Sequence, residues 1–298
     1  MKRAQLKPWV FKIKGAKNYA LYDILNGVLY HLDPGWNDDE LRKNLLEEGL
    51  IFETQGVVPF KLEKKIVPDK GIHLREVQIR INGRGEDTCW ERNLKKSEKK
   101  SMDTAVLNIL AKELSPIPIE VIRVETEDVE KEKIKKIIAE FKGEKAVIYS
   151  REPLKTDVVK ELESLCGSRD MELEIGKVEG IDITPLEVDE FMFYYARQYN
   201  PCLGHKVAVD TGGEIKPCLW SQDVIGNIND NNIGLRDLIF KGALDSFWEL
   251  TKNRIEGCKE CELRFACRDC RASALQANGK PDAKPPFCSY DPFTDDSY

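Results

Sequence analysis

"CKECELRFACRDC", residues Cys258–Cys270, sets four cysteines within thirteen positions. Thiols this close can be joined as disulfides, hold zinc or hold an iron–sulfur cluster, and the rest of the chain has to choose. The sequence has nine cysteines, and seven follow residue 200: Cys202, Cys218, Cys258, Cys261, Cys267, Cys270 and Cys288. The opening MKRAQLKPWVFKIKG is basic but lacks the apolar stretch of a secretion signal. The expected compartment is therefore a reducing cytoplasm, where a disulfide framework is not sustained. One structural zinc takes four ligands and two take eight; seven thiols with His205 would complete that count, so zinc stays open. Against it, the two CxxC pairs are only five residues apart, a very short loop between zinc knuckles. Clustered thiolates with irregular gaps, closed by distant cysteines, are what iron–sulfur sites use.

Composition bounds the remainder. The 298 residues are 41% hydrophobic and 33% charged, enough for a buried core and two or three modest domains. No run of about 18 apolar residues suggests a membrane span. The net charge of −6 argues against a nucleic-acid partner, whose binders usually carry a basic face. No Walker loop, nucleotide-binding glycine fingerprint, HExxH or nucleophile elbow is present.

Three segments are expected. Residues 1–66 read as a small α+β module. FKIKG, YALYDIL and VLYHLD are strand-like, Asn26-Gly27 marks a hairpin turn, and a helix starts near Asp38 and ends at Gly49. Residues 67–190 alternate strand and helix: LREVQIRI with Val77, Ile79 and Ile81 on one face, MDTAVLNILAKEL, PIEVIRVE, a helix carrying Ile134, Ile137, Ile138 and Phe141 with Gly143 as its C-cap, KAVIYS, TDVVKELESLCG, and MELEIG. That repetition predicts parallel pairing, with too few units for a complete eight-fold barrel. Residues 191–298 hold the cysteines, after the helix in LEVDEFMFYYARQYN; LIFKGALDSFWELTKNR reads as one further helix. Cys166 fits a packed helix face, and His31 and His73 fit strands as exposed or satisfied residues.

Cys202, ten residues, Gly213, four residues, Cys218, then C-x2-C-x5-C and a final Cys288 resemble the SPASM domain, down to the GEIKPC turn. The resemblance covers about residues 196–298. It implies two auxiliary [4Fe-4S] clusters with interleaved ligands: Cys202, Cys218 and Cys270 on the first, and Cys258, Cys261, Cys267 and Cys288 on the second. The gap before Cys270 is two residues where three are common, and FMFYYARQYN supplies no upstream cysteine. The first cluster is thus one ligand short; His205, Asp210, water or a partner's thiolate could complete it, or the site stays exchangeable and faces a peptide channel.

SPASM domains extend radical SAM enzymes that modify ribosomally made peptides, and the middle segment resembles a degenerate, shortened radical SAM βα barrel. The cysteine loop that would bind S-adenosylmethionine keeps only Cys89, with Gly85 and Arg92 where its partners belong. The family's Gly-Gly-Glu-Pro motif at the end of the second strand is matched by Ser150-Arg151-Glu152-Pro153. No S-adenosylmethionine cleavage is expected. The pattern is similar to SPASM-domain peptide maturases of the grasp-with-spasm type, and residues 1–66 resemble a PqqD-like element that holds leader peptides by strand addition. The resemblance implies a precursor peptide as partner, with a peptide-modifying enzyme or electron donor beside it. Three functions stay in play: a pseudoenzyme, electron relay or substrate-presenting partner; a catalyst using the open cluster directly; and a zinc-stabilised interaction module.

Overall fold

The computed structural model describes residues 3–32, 38–54, 73–83, 100–177, 186–230, 234–268 and 270–294. The N-terminal strands are β1 (Arg3–Leu6), β2 (Val10–Lys14), β3 (Tyr19–Asp23) and β4 (Val28–Leu32), followed by α1 (Asp38–Glu47) and β5 (Ile51–Thr54). Strands β2, β3 and β4 form an antiparallel meander, while β1 pairs with β5. The turn before β4 uses Gly27 at φ 68, and the Asp23 carboxylate accepts from both the backbone and side-chain amides of Asn26. Gly49 closes α1 at φ 70. Alternation along β3 splits its side chains between two cores. Leu21 packs with Val10, Leu32 and Leu50, while Ala20 and Tyr22 face Phe193, Tyr194 and Phe265 far along the chain.

The middle segment builds β6 (Leu74–Arg80), β7 (Asn82–Gly83), β8 (Lys100–Ser101), α2 (Thr104–Leu114), β9 (Ile119–Thr126), α3 (Lys131–Glu140), β10 (Gly143–Ser150), α4 (Thr156–Gly167) and β11 (Glu172–Lys177). The chain then forms α5 (Glu190–Gln198), β12 (Lys206–Val209), β13 (Glu214–Lys216), β14 (Gly226–Asn227), α6 (Leu235–Phe240), α7 (Asp245–Trp248), a 3-10 turn at Lys252–Arg254, and α8 (Arg271–Asn278). One seven-stranded sheet runs β11-β10-β9-β6-β12-β13-β14. Its first four junctions are parallel and its last two antiparallel. The α/β class with a large parallel sheet is therefore present, as an open strand order with β6 inside rather than a closed ring.

The periodicities explain the layers. Val77, Ile79, Ile122, Val124, Ala146, Ile148, Val207 and Val209 fill one face of the sheet. Val106, Leu107 and Leu110 of α2, Ile134, Ile137 and Ile138 of α3, and Val158, Leu162 and Cys166 of α4 pack against it. Each fully buried aliphatic side chain contributes roughly 1.5–3 kcal/mol of transfer free energy. Two helix starts carry carboxylate caps: Asp103 accepts from Ala105 N at 2.8 Å and Asp189 from Met192 N at 2.7 Å.

Across the expected boundary between residues 190 and 191, β12, β13 and β14 extend the same sheet, and Leu235, Ile239 and Trp248 join the same core. Three expectations need correction. Phe141, not Gly143, caps α3; Gly143 opens β10, where a Cβ would stand 2.8 Å from Ile122 Cδ1. The single helix read across LIFKGALDSFWELTKNR is broken into α6, α7 and the 3-10 turn, because Gly242 takes φ 71. The SREPL stretch closes β10, the third parallel strand in chain order from β6, and not the second. Cys89, Gly85 and Arg92 lie outside the described residues.

Phe193 is 1% exposed, with its ring 4.6 Å from Phe11, 5.2 Å from Tyr22 and 5.8 Å from Phe265. Phe193→Ala should destabilise the protein by about 3–5 kcal/mol. Urea unfolding checks this, and a loss below about 1 kcal/mol would show that the meander does not depend on this contact.

Candidate metal centre

The seven C-terminal cysteines occupy two places. Cys202, Cys218 and Cys270 pack together with Leu203 and Ala272, against Trp220, Phe247 and Phe287. Cys202 follows α5 in a turn organised by Asn200, which is 0% exposed. Its Oδ1 accepts from Cys202 N and Leu203 N at 2.9 Å each, and its Nδ2 donates to Leu250 O at 2.7 Å. Gly204 lets this turn lie against α5, since a Cβ there would fall 2.3 Å from the Tyr195 hydroxyl. Cys218 ends the hairpin arm after β13, and Leu219 N donates to Gln78 Oε1 on β6 at 3.0 Å. Cys270 caps α8, its Sγ accepting from Ser273 N at 3.5 Å. Burial pushes the Cys218 thiol up to about 12, with Cys202 adding to the effect, Lys206 opposing it and Cys270 reinforcing it.

The second place is a run of turns. Gly257 takes φ 74, Cys258 N donates to Ile255 O at 3.1 Å, Cys261 N to Cys258 O at 3.0 Å, and Cys267 N to Leu263 O at 3.0 Å. Burial pushes the Cys261 thiol up to about 12, with Glu262, Cys267 and Cys258 adding to it. Cys261 and Cys288 lie against the same core as Phe265 and Tyr290. Cys267 is held by a β-bridge to Leu186, and Lys252 Nζ donates to its Sγ at 3.7 Å. No disulfide joins the eight described cysteines.

A buried polar centre binds this run of turns to the N-terminal meander. Glu262 is 0% exposed, and its Oε1 accepts from His31 Nε2 at 2.7 Å and from the Tyr290 hydroxyl. Tyr22 donates to Glu262 O at 2.8 Å, Ala16 N to Glu260 O at 2.6 Å, and Arg264 Nη1 to Lys14 O at 3.1 Å. Gly15 has to be glycine at this contact, because a Cβ would stand 2.2 Å from Glu262 Oε2.

The open face of the sheet carries residues that the sequence reading passed over. Glu76, Gln78 and Arg80 of β6 alternate with the apolar positions and are buried all the same. Glu76 accepts from Arg123 Nε at 2.6 Å and Gln78 Nε2 at 2.7 Å, with Lys206 Nζ at 3.4 Å. Burial alone would raise the Glu76 carboxyl; Lys206 and Arg123 outweigh it and hold the group well below the usual carboxylate range. Lys206 is raised against its own burial, by Glu76 first and then by Cys202 and Cys218. Glu125, paired with Arg80 at 3.2 Å, is raised because desolvation prevails. The available signal is the polar half of LREVQIR and IEVIRVET, where opposite charges on neighbouring strands can pair.

The two candidates within the chain for a fourth ligand, His205 and Asp210, have partners of their own. His205, at φ 51, stacks 5.0 Å from Trp248, and its Nδ1 is 3.0 Å from the Tyr195 hydroxyl. Burial lowers it to about 4, with His73 and Arg75 contributing. Asp210 accepts from Gly212 N at 2.9 Å and Glu214 N at 3.0 Å and pairs with Lys216 at 3.0 Å. His31 and His73 are satisfied by Glu262 and Glu120, and Cys166 is packed in the helical layer.

Among the described residues no three His, Cys, Asp or Glu side chains converge on a single ion. A four-iron cube spreads its ligands over four metals, so convergence on one point is a different geometry from a ring of thiols around a cluster. The first group fits such a cluster in its chemistry. Its three donors are sulfur, and the Ser273 hydroxyl is buried beside Cys270 with no hydrogen-bond partner in the structure, a donor that a cluster sulfide would satisfy.

No protein-family model matches the chain, and no curated protein does. Among solved structures, BtrN in an open conformation matches with a TM-score of 0.36 and 16% identity, covering 65% of this chain and 94% of that one. A likeness at this level carries neither a fold nor an activity across. No helix among the described residues is long and apolar enough to cross a membrane.

Two measurements probe this region. Glu76→Gln leaves Lys206 and Arg123 buried without their carboxylate and should cost about 3–5 kcal/mol in denaturant unfolding; a change under about 1 kcal/mol would mean the pairs are not desolvated. For His205, the folded state holds the proton less well than the unfolded chain, so the unfolded state binds more protons between pH about 4 and 6.5. Stability of the wild type should therefore fall relative to His205→Gln as pH drops through that window. Parallel pH profiles would contradict the burial of the imidazole.

Proposed function

We propose that this chain is an iron–sulfur protein of the SPASM type that acts in the maturation of a ribosomally synthesised peptide. In this reading it cleaves no S-adenosylmethionine and works as a pseudoenzyme that relays electrons or presents the substrate. Cys202, Cys218 and Cys270 would hold one [4Fe-4S] cluster, and Cys258, Cys261, Cys267 and Cys288 the other. One observation supports this above the rest: the thiols form two groups that interleave in sequence, Cys270 packing with Cys202 and Cys218 although it lies beyond Cys267.

Bound there, such clusters supply one-electron transfer and, at an iron without a fourth protein ligand, a position for a substrate thiolate or carboxylate. The chain's own residues do the positioning. Gln78 fixes the backbone next to Cys218, Asn200 fixes that next to Cys202, and Ser273 N–H is directed at Cys270 Sγ. Lys206 sets a buried positive charge where Cys202 and Cys218 act on it. Arg151, at the end of β10, pairs with Glu127 at 3.4 Å. The meander has edge strands at β2 and β4, a geometry to which an extended leader peptide could add.

Anaerobic preparation should yield about eight irons and eight labile sulfides per chain, four of each for a cube. Cys261→Ala should lose about half of both, since metal binding and folding are coupled at such sites. Stoichiometric zinc without labile sulfide overturns the reading.

A further inference from the structure

Lys252 opens the 3-10 turn Lys252–Arg254 and is 0% exposed. Lysine usually buries its stem and keeps its ammonium in water. A wholly buried ammonium is costly unless it finds acceptors. Here Nζ donates to Cys267 Sγ at 3.7 Å. The surrounding backbone is a series of hydrogen-bonded turns. Arg254 N donates to Thr251 O at 2.9 Å, Ile255 N to Lys252 O at 3.3 Å, and Cys258 N to Ile255 O at 3.1 Å. Lys252 and Cys258 are therefore consecutive links in one series of turns, and the ammonium is delivered to the sulfur by the same backbone that places the first thiol of the group. Cys267 is pinned from the other side by its bridge to Leu186 and by Glu187 N donating to Ala266 O at 2.9 Å.

We propose that Lys252 is a positioning and charge-tuning residue for the second sulfur group, donating an Nζ–H···S hydrogen bond to the Cys267 sulfur that holds iron. This rests on the reading of that group as a cluster site. One-electron reduction adds negative charge to a cluster and its thiolates. A hydrogen-bond donor with a buried positive charge stabilises the reduced form more than the oxidised one and so raises the midpoint potential. Removed from water, that charge acts with less screening than at the surface. A lysine serving packing alone would affect stability and leave the potential where it was.

The test uses the full chain, loaded anaerobically and reduced in steps with dithionite. The second cluster is identified as the paramagnetic signal that Cys261→Ala abolishes. In Lys252→Met, which keeps the length of the stem, the midpoint of that signal should fall while the other cluster's stays put. Wild-type protein labelled with 15N-lysine should show 15N hyperfine coupling to the reduced second cluster, lost in Lys252→Met. If the variant takes up no iron at that group, the wild-type coupling decides: its presence supports the assignment and its absence overturns it. An unchanged midpoint in a fully loaded variant, or no 15N coupling in the wild type, overturns the role of Lys252 and leaves the cluster reading standing. A wild type with no labile sulfide overturns the cluster reading itself.

Discussion

A carboxylate shut away from water sets the register of three strands at once. Glu76 on β6 has Arg123 of β9 on one side and Lys206 of β12 on the other. Taking such ions out of water costs several kcal/mol apiece, and the cost is offset only when their geometry is well matched. A slip of one residue in β6 would move Glu76 to the helix-covered face and strand two cations without their partner. Gln78, two residues on and on the same face, holds the amide beside Cys218. The position of the first sulfur group is thus a consequence of strand register.

The two sulfur groups are built by different means. The first draws on regular elements: the end of β13, the N-cap of α8 and the turn after α5. The second depends on successive turns between Ile255 and Cys267, where the amides of Cys258, Lys259, Cys261, Arg264, Ala266 and Cys267 reach back three or four residues and no strand or long helix spreads the load. Local opening free energies follow such differences in backbone support. The second group is accordingly the one whose order leans more on whatever it binds.

Much of the α/β segment was legible because its apolar residues recur at clear helical and strand periods, as in Ile134, Ile137 and Ile138 or Val77 and Ile79. The cysteines were legible as chemistry because spacing limits what thiols can hold. Other features depend on partners remote in the chain. KVAV at Lys206–Val209 is too short to read as a strand until β6 is beside it. Arg80 and Glu125 look solvated in isolation, since each is tolerable in the interior only with the other. Gly242 looks like any helical glycine until its positive φ is known. The Glu262 centre joins His31 to Tyr290 across 259 positions, a separation over which no local pattern operates.

That centre also bears on how the protein is made. Tyr22 reaches Glu262 across 240 positions, and among the described residues the Phe11, Ala20 and Tyr22 face of the meander packs against Phe193, Phe265 and their neighbours. At ordinary rates of synthesis, 240 residues take on the order of ten to fifty seconds. Through that interval the nascent meander carries an apolar face not yet covered and two strand edges, the surfaces through which growing chains misassociate. The meander is translated long before the residues that cover it, so its packing is completed only once the turns around Glu262 have been made.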